Sequence, residues 1–314
     1  MEHVKLNYVE FVSELRRQLY QIIPVDMEME VHHVLKNNSV CLDSLILKGG
    51  GCNVSPDFHL RDYYYRYENG NEIAMLAEDI YQKWQELADA KDSVIPDLTY
   101  DNCRQFIVYR LINAGRNREL LEEVPHIPFF DLAITFHCLI DSQEDGIKSI
   151  RISNQLMECW GVNTRILLQM AGENTPRLFP AKYCPFQEVL QDIITPSQEQ
   201  NNLTGQNQPW VLTNQKGING AAAWLYPHQL EEMSQKHQKN FYILPSSIHE
   251  LIIIVQEDDW QEEKLLEMVR QVNQECVNEE EFLSDNIYLY NYQKRGIKMI
   301  HGFTSEDKSI NIEV

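Results

Sequence analysis

Residues 241–256 read FYILPSSIHELIIIVQ, two apolar runs separated by Ser246, Ser247, Ile248, His249 and Glu250. Serine, histidine and a carboxylate are the parts of nucleophilic hydrolysis, in which the imidazole takes the hydroxyl proton and the acid orients the ring. On an extended chain Ser247 and His249 point to one face and Glu250 to the other, so the three do not form a local triad. A nucleophilic serine also needs an exposed, sharp turn with backbone donors beside it, as in G-x-S-x-G, and no glycine stands near either serine. Pro245 and Ser246 suit a bend between two strands. The segment reads as a polar bend that opens a strand, and Ser247 with His249 is the least unsuitable catalytic pair. Beyond it, Ile252 and Ile254 would face one side and Ile253 and Val255 the other, which predicts a central strand covered on both faces.

Other chemistries find less support. The chain has no C-x-x-C, no H-E-x-x-H and no histidine-rich tract, so no metal site is called and no cofactor. His32 and His33 are adjacent and face opposite sides of a strand; a site gathered from His59, His126 and His137 has no local support. The run GGGC at Gly49–Cys52 lacks the Gly-Lys-Ser/Thr of a phosphate loop and reads as a hairpin turn. Tyr63, Tyr64, Tyr65 and Tyr67 form a dense aromatic run. Their plain reading is packing before the next helix with alternate rings buried. If Tyr63, Tyr65 and Tyr67 are exposed, they form the chain's contact surface, since tyrosine is large, rigid and polar at its tip.

The elements that must position these residues follow from patterning. Tyr8, Phe11, Val12, Leu15 and Leu19 fall at helical spacing before Pro24. An antiparallel meander follows, with strands over 28–35, 40–47 and 54–60, and then a helix through Ile73, Leu76, Ile80, Trp84 and Leu87. Pro96 marks a boundary, giving an N-terminal region 1–95 and an α+β domain 96–314 interrupted by a polar loop at 195–209. Past the boundary, 105–113 reads as a strand, 131–141 and 147–153 as a hairpin, and Ser153 or Asn154 and Asn163 as helix caps. The second of these helices should end at Gly172 or Pro176. A short helix is expected over 184–194. Strands are expected at 210–214, 218–226, 241–245 and 248–255, with NIYLYNY the last. Pro227 suits the first turn of a helix over 227–237. Asp259 with Glu262 resembles a capping box, opening a helix whose apolar stripe is Leu265, Val269, Val272 and Cys276. Strands arranged in hairpins, with helices packed on them, define an α+β fold of antiparallel sheets rather than a doubly wound one.

Composition narrows the function classes. The formal charge of -20, with 47 acids against 27 bases, argues against a phosphate-backbone ligand and against anionic membranes. The alternative use of such charge is mimicry of nucleic acid toward a basic partner. The best membrane candidate, 124–140, carries Asp131, two histidines and two prolines and is too short for a span. The N-terminus lacks the apolar core of a signal peptide. Seven widely spaced cysteines fit reduced thiols in a cytoplasmic protein.

The motifs EVHHVLKNNSVCLDSL, NVSPDFHLRDYYYRYENG, NRELLEEVPHIPFFDLAITF, WVLTNQKGINGAAAWLYP, FYILPSSIHELIII and NEEEFLSDNIYLYN together resemble an uncharacterised bacterial family, the domain-of-unknown-function family numbered five-six-eight-eight. The order of elements is more distantly similar to the family of unknown function numbered one-four-four-four. The resemblance implies a bacterial cytosolic protein and supplies no activity or site residue. The function that emerges is a non-catalytic binding or interaction protein with a protein or small-molecule partner. The alternatives are a hydrolase assembled from distant residues and an acidic nucleic-acid mimic.

Overall fold

A computed structural model of the chain describes residues 5–49, 58–89, 98–143, 146–188, 209–245, 247–257, 261–300 and 309–310. The chain divides into two compact units, one of Met1–Lys36 with Val40–Asp97, the other of Asn37–Ser39 with Leu98–Val314. The fold is α+β, with three antiparallel sheets.

The first unit opens with the helix Tyr8–Ile22, closed at its N-terminus by a capping box in which Asn7 and Glu10 exchange side-chain to backbone bonds. Strands β1 (Glu28–Leu35), β2 (Cys41–Lys48) and β3 (Phe58–His59) form a three-stranded sheet. Phe11, Leu15 and Leu19 meet Leu45, Leu47 and Phe58, together with Leu76, Ile80 and Trp84 of the helix Ile73–Asp89, in one buried cluster. The Trp84 indole donates to the Leu47 carbonyl at 3.2 Å, so the one polar atom of that ring is satisfied inside the core. The remainder of the expected third strand, the glycine run beyond Gly49 with Cys52, and Pro96 lie outside the described residues.

The second unit holds two sheets. Strand β6 (Leu132–Gln143) pairs with β4 (Ile107–Asn113) along one edge and with β5 (His126–Phe129) and β7 (Gly146–Arg151) along the other. The larger sheet has the order β14-β13-β12-β10-β11-β9-β8, where β8 is Ala181–Pro185, β9 Trp210–Asn214, β10 Phe241–Leu244, β11 Leu251–Val255, β12 Ile287–Asn291, β13 Gly296–Ile300 and β14 Ser309–Ile310. Leu251 and Ile253 enter a cluster with residues of both sheets, the run Ala221–Tyr226, and Leu167 and Ala171 of the helix Thr164–Leu178. Ile252 and Ile254 face the other way, against Leu265, Leu266 and Val269 of the helix Glu262–Cys276. Strand β11 is therefore interior to its sheet and apolar on both faces, as its sequence requires.

Several expectations are corrected. Residues 218–226 are not a strand: Gly220–Leu225 is a buried 3₁₀ turn after Asn219 in the left-handed region. A Cβ at Gly220 would collide with Thr213 Oγ1 and the His249 carbonyl, and the three alanines after it permit the same close approach. The helix from Thr164 continues through Gly172 and Pro176 to Leu178. Buried Thr175, whose hydroxyl donates to the Ala171 carbonyl, and Asn174, whose amide donates to the Arg104 and Ile107 carbonyls, hold it past the proline. Cys184 and Pro185 lie in β8 rather than in a helix. The helix expected from Pro227 begins at Gln229, because His228 takes a left-handed conformation. The helix of 262–276 starts beside Gln261 and buries Leu265, Leu266, Val269 and Asn273, while Val272 and Cys276 are exposed. Asp259 lies outside the described residues. NIYLYNY is not the last strand, since a turn with Arg295 in the left-handed region returns the chain as β13.

Candidate functional site

The serine-histidine segment is not the start of a strand. Strand β11 begins only at Leu251, and Ser247 makes a lone antiparallel bridge to Phe282. Ser247 is buried, and its Oγ accepts the backbone N–H of His249 at 2.9 Å. The His249 ring faces elsewhere: Nδ1 accepts the Asn219 N–H at 3.2 Å, and Nε2 lies 3.5 Å from Glu281 Oε1. The imidazole is thus not placed to take the Ser247 proton. Glu250 does approach Ser247, contrary to the alternation of a strand, because the bend carries both side chains to one side. Burial raises the Glu250 pKa, opposed by the His249 ring and by a hydrogen bond from Ser247. The Ile248 and His249 carbonyls receive Ala221 N–H and Thr213 Oγ1, while Ile248 N–H donates to the Glu281 carbonyl. These bonds tie the bend around Ser247 to its neighbours.

The tyrosines occupy a helix of their own, Leu60–Glu68, so their period is 3.6 rather than two. Tyr63 is buried, and Tyr67 stacks on Phe11 with ring centroids 5.2 Å apart. Tyr65, on the opposite side, is 68% exposed. Tyr63, Tyr65 and Tyr67 are not brought together on one surface.

Two constellations escaped the sequence reading. The first centres on Asp131, in the turn between β5 and β6 beside Phe130 at φ 57°. Its carboxylate accepts Ser284 Oγ at 2.6 Å, Asn286 Nδ2 at 2.9 Å and the Tyr288 hydroxyl. Burial and this carboxylate hold the Tyr288 phenol far above its ordinary range, so it stays a donor. Ser284, Asn286 and Tyr288 recur at every second residue, a period that could have revealed one donor face.

The second is a cavity of about 360 Å³, a size suited to a small molecule. Its wall is apolar where Trp224, Leu225, Tyr226, Leu230, Tyr290 and Ile297 line it, and polar at His228, Glu231 and Arg295. Arg295 Nη1 pairs with Glu231 Oε1 at 2.8 Å. The Trp224 indole nitrogen is buried and has no hydrogen-bond partner among the described residues. Trp224 is fixed by edge contacts to Phe129 and Tyr288, with centroids 5.0 and 4.7 Å away. A buried N–H without an acceptor is costly and uncommon, and here it belongs to a ring that lines a cavity.

Among the described residues, no group of three His, Cys, Asp or Glu side chains is placed to hold a metal ion, and no helix is long and apolar enough to cross a membrane. His32 and His33 pair with Glu30 and Asp43 separately. The fold and its sites define an α+β protein with a small-molecule-sized cavity and a serine bend held as architecture. The chain belongs to a family of unknown function (DUF5688), whose model matches residues 8–292. No curated protein and no solved structure matches it.

Proposed function

We propose that the chain is a non-catalytic binding protein of the bacterial cytosol that takes a small molecule in the cavity beside Trp224. The observation that carries this reading is the cavity itself, of about 360 Å³, with an apolar wall from Trp224 to Ile297 and a charged rim at Glu231 and Arg295. The fitting ligand has an apolar ring or chain for the floor and a polar group for the rim of His228, Glu231 and Arg295. The geometry at Ser247 supports the non-catalytic half of the proposal, because its hydroxyl is committed to the bend. The net charge of -20 favours partners other than nucleic acid and anionic membranes. The cytosolic assignment is supported by cysteines that form no disulfide among the described residues. A protein partner would meet Tyr65 rather than the whole tyrosine run. Kinship with the family numbered one-four-four-four rests on the shared order of elements.

The test is a melting-temperature screen of fractionated bacterial small molecules against the wild type and Gln229→Trp, which fills the cavity mouth. Fractions that raise the wild-type melting temperature and leave Gln229→Trp unmoved support the proposal. Fractions that act equally on both, or none that act, contradict it.

A further inference from the structure

The outer face of the four-stranded sheet carries a concentration of positive charge in a strongly acidic protein. Thr135 and His137 lie two apart on β6 and share a face. Arg110 of β4 is the cross-strand partner of Thr135, and Arg151 of β7 that of His137. Directly opposed residues project to the same side, so two arginines flank His137 from either edge. Arg110 reaches across β6, where its Nη2 donates to Ser149 Oγ of β7 at 2.7 Å. Thr135 and His137 are buried, at 1% and 6% exposure, while Ser149 and Arg151 are half-buried on the edge strand.

Among the described residues neither guanidinium has a carboxylate in ion-pair contact, and Arg151 pairs only through its backbone, in the ladder to His137. The Glu123 charge acts on Arg151 only at longer range. An arginine cannot shed its proton to escape burial, so two of them on one face with no carboxylate in contact, and with only Glu123 acting on Arg151 from farther off, form an arrangement that an anion would stabilise. Burial and the two guanidiniums push His137 well below its ordinary range, and burial with Arg151 pushes Arg110 down to about 10.

We infer that the Arg110–His137–Arg151 face binds a phosphate group, either inorganic phosphate or the monoester of a small metabolite. Two guanidinium forks with the Ser149 hydroxyl offer more donors than the two oxygens of one carboxylate can accept, and they match a tetrahedral dianion. A polymer backbone does not fit a face this enclosed. This site is separate from the Trp224 cavity, and its inference does not depend on that one.

The test uses the full chain and inorganic phosphate. Melting temperature and titration calorimetry are followed against sodium chloride at matched ionic strength, with glycerol phosphate and succinate as further arms. The expected result is a saturable stabilisation by phosphate beyond that of chloride. It should weaken roughly tenfold or more in Arg151→Gln and persist in the exposed-lysine control Lys264→Gln. Tighter binding of glycerol phosphate than of phosphate would assign the monoester, and the reverse the free anion. In phosphate-free buffer Arg110→Met should melt higher than the wild type, because it removes a buried charge that lacks a counterion. Should Arg110→Met fail to fold, the half-buried Arg151→Gln carries the test alone. Phosphate acting no more than chloride, succinate acting where phosphate does not, or Arg151→Gln responding like the wild type would overturn the assignment.

Discussion

Replacing Asp131 by alanine should unfold the second unit at markedly lower denaturant. The carboxylate serves three donors, of which Ser284 and Tyr288 are fully buried and Asn286 is partly open to water. Each buried donor left without a partner costs about 1–3 kcal/mol. Two of them give roughly 2–6 kcal/mol, since Asn286 can turn to solvent. Tyr288→Phe removes one donor and leaves the acid two partners, so it should cost about 1.5–3 kcal/mol, the range for a hydrogen bond to a charged group. In the double variant the lost bond is counted once, and a cycle should return at least about 1 kcal/mol of coupling. The assay is urea unfolding followed by tryptophan fluorescence, to which Trp224 against Tyr288 contributes a local signal, together with circular dichroism. An Asp131→Ala protein within about 0.5 kcal/mol of the wild type, or additive single costs, would refute the reasoning. The carboxylate would then be kept for something other than holding β12 to the β5–β6 turn.

Ile253→Ala should cost about 2–5 kcal/mol in the same assay, because Ile253 is fully buried in an interior strand. Ser247→Ala should cost about 1–3 kcal/mol, because it strands the His249 N–H and the Glu250 carboxyl, and a fluorophosphonate probe should label neither protein. Glu250 is raised above its ordinary value by burial, so its contribution to stability is fully present below the unfolded glutamate range and is lost as pH rises through its folded pKa. Glu250→Gln should therefore gain stability over the wild type at pH 7, with the difference shrinking in urea melts near pH 5. All seven cysteines should titrate as thiols in denaturant without reductant, against the six that already show no disulfide among the described residues.

Legibility followed local chemistry. The helix Tyr8–Ile22, the β1–β2 hairpin and the doubly covered strand β11 could all be read, because apolar periodicity acts within a few positions. Gly220–Leu225 could not, since an apolar alanine-rich run is compatible with a strand until Thr213 and the His249 carbonyl crowd it from elsewhere. The tyrosine run was given the wrong period, as aromatic content suggests a strand while Leu60–Glu68 is helical. Asp131, in a hydrophobic stretch, and Trp224, in a core cluster, gained their meaning only when distant segments brought donors to one and a cavity to the other. The arginines of β4 and β7 are 41 positions apart and meet only through the register of β6.

The most direct measurement is the indole N–H region of a nitrogen-15 spectrum, where five tryptophans give five resonances. Trp224→Phe identifies the one that reports on the cavity. Binding at this site predicts that a ligand selected by the melting screen shifts the Trp224 resonance saturably and more than the other four. A ligand that stabilises the protein while leaving Trp224 unmoved, or that shifts all five alike, would contradict the assignment of this cavity as the binding site.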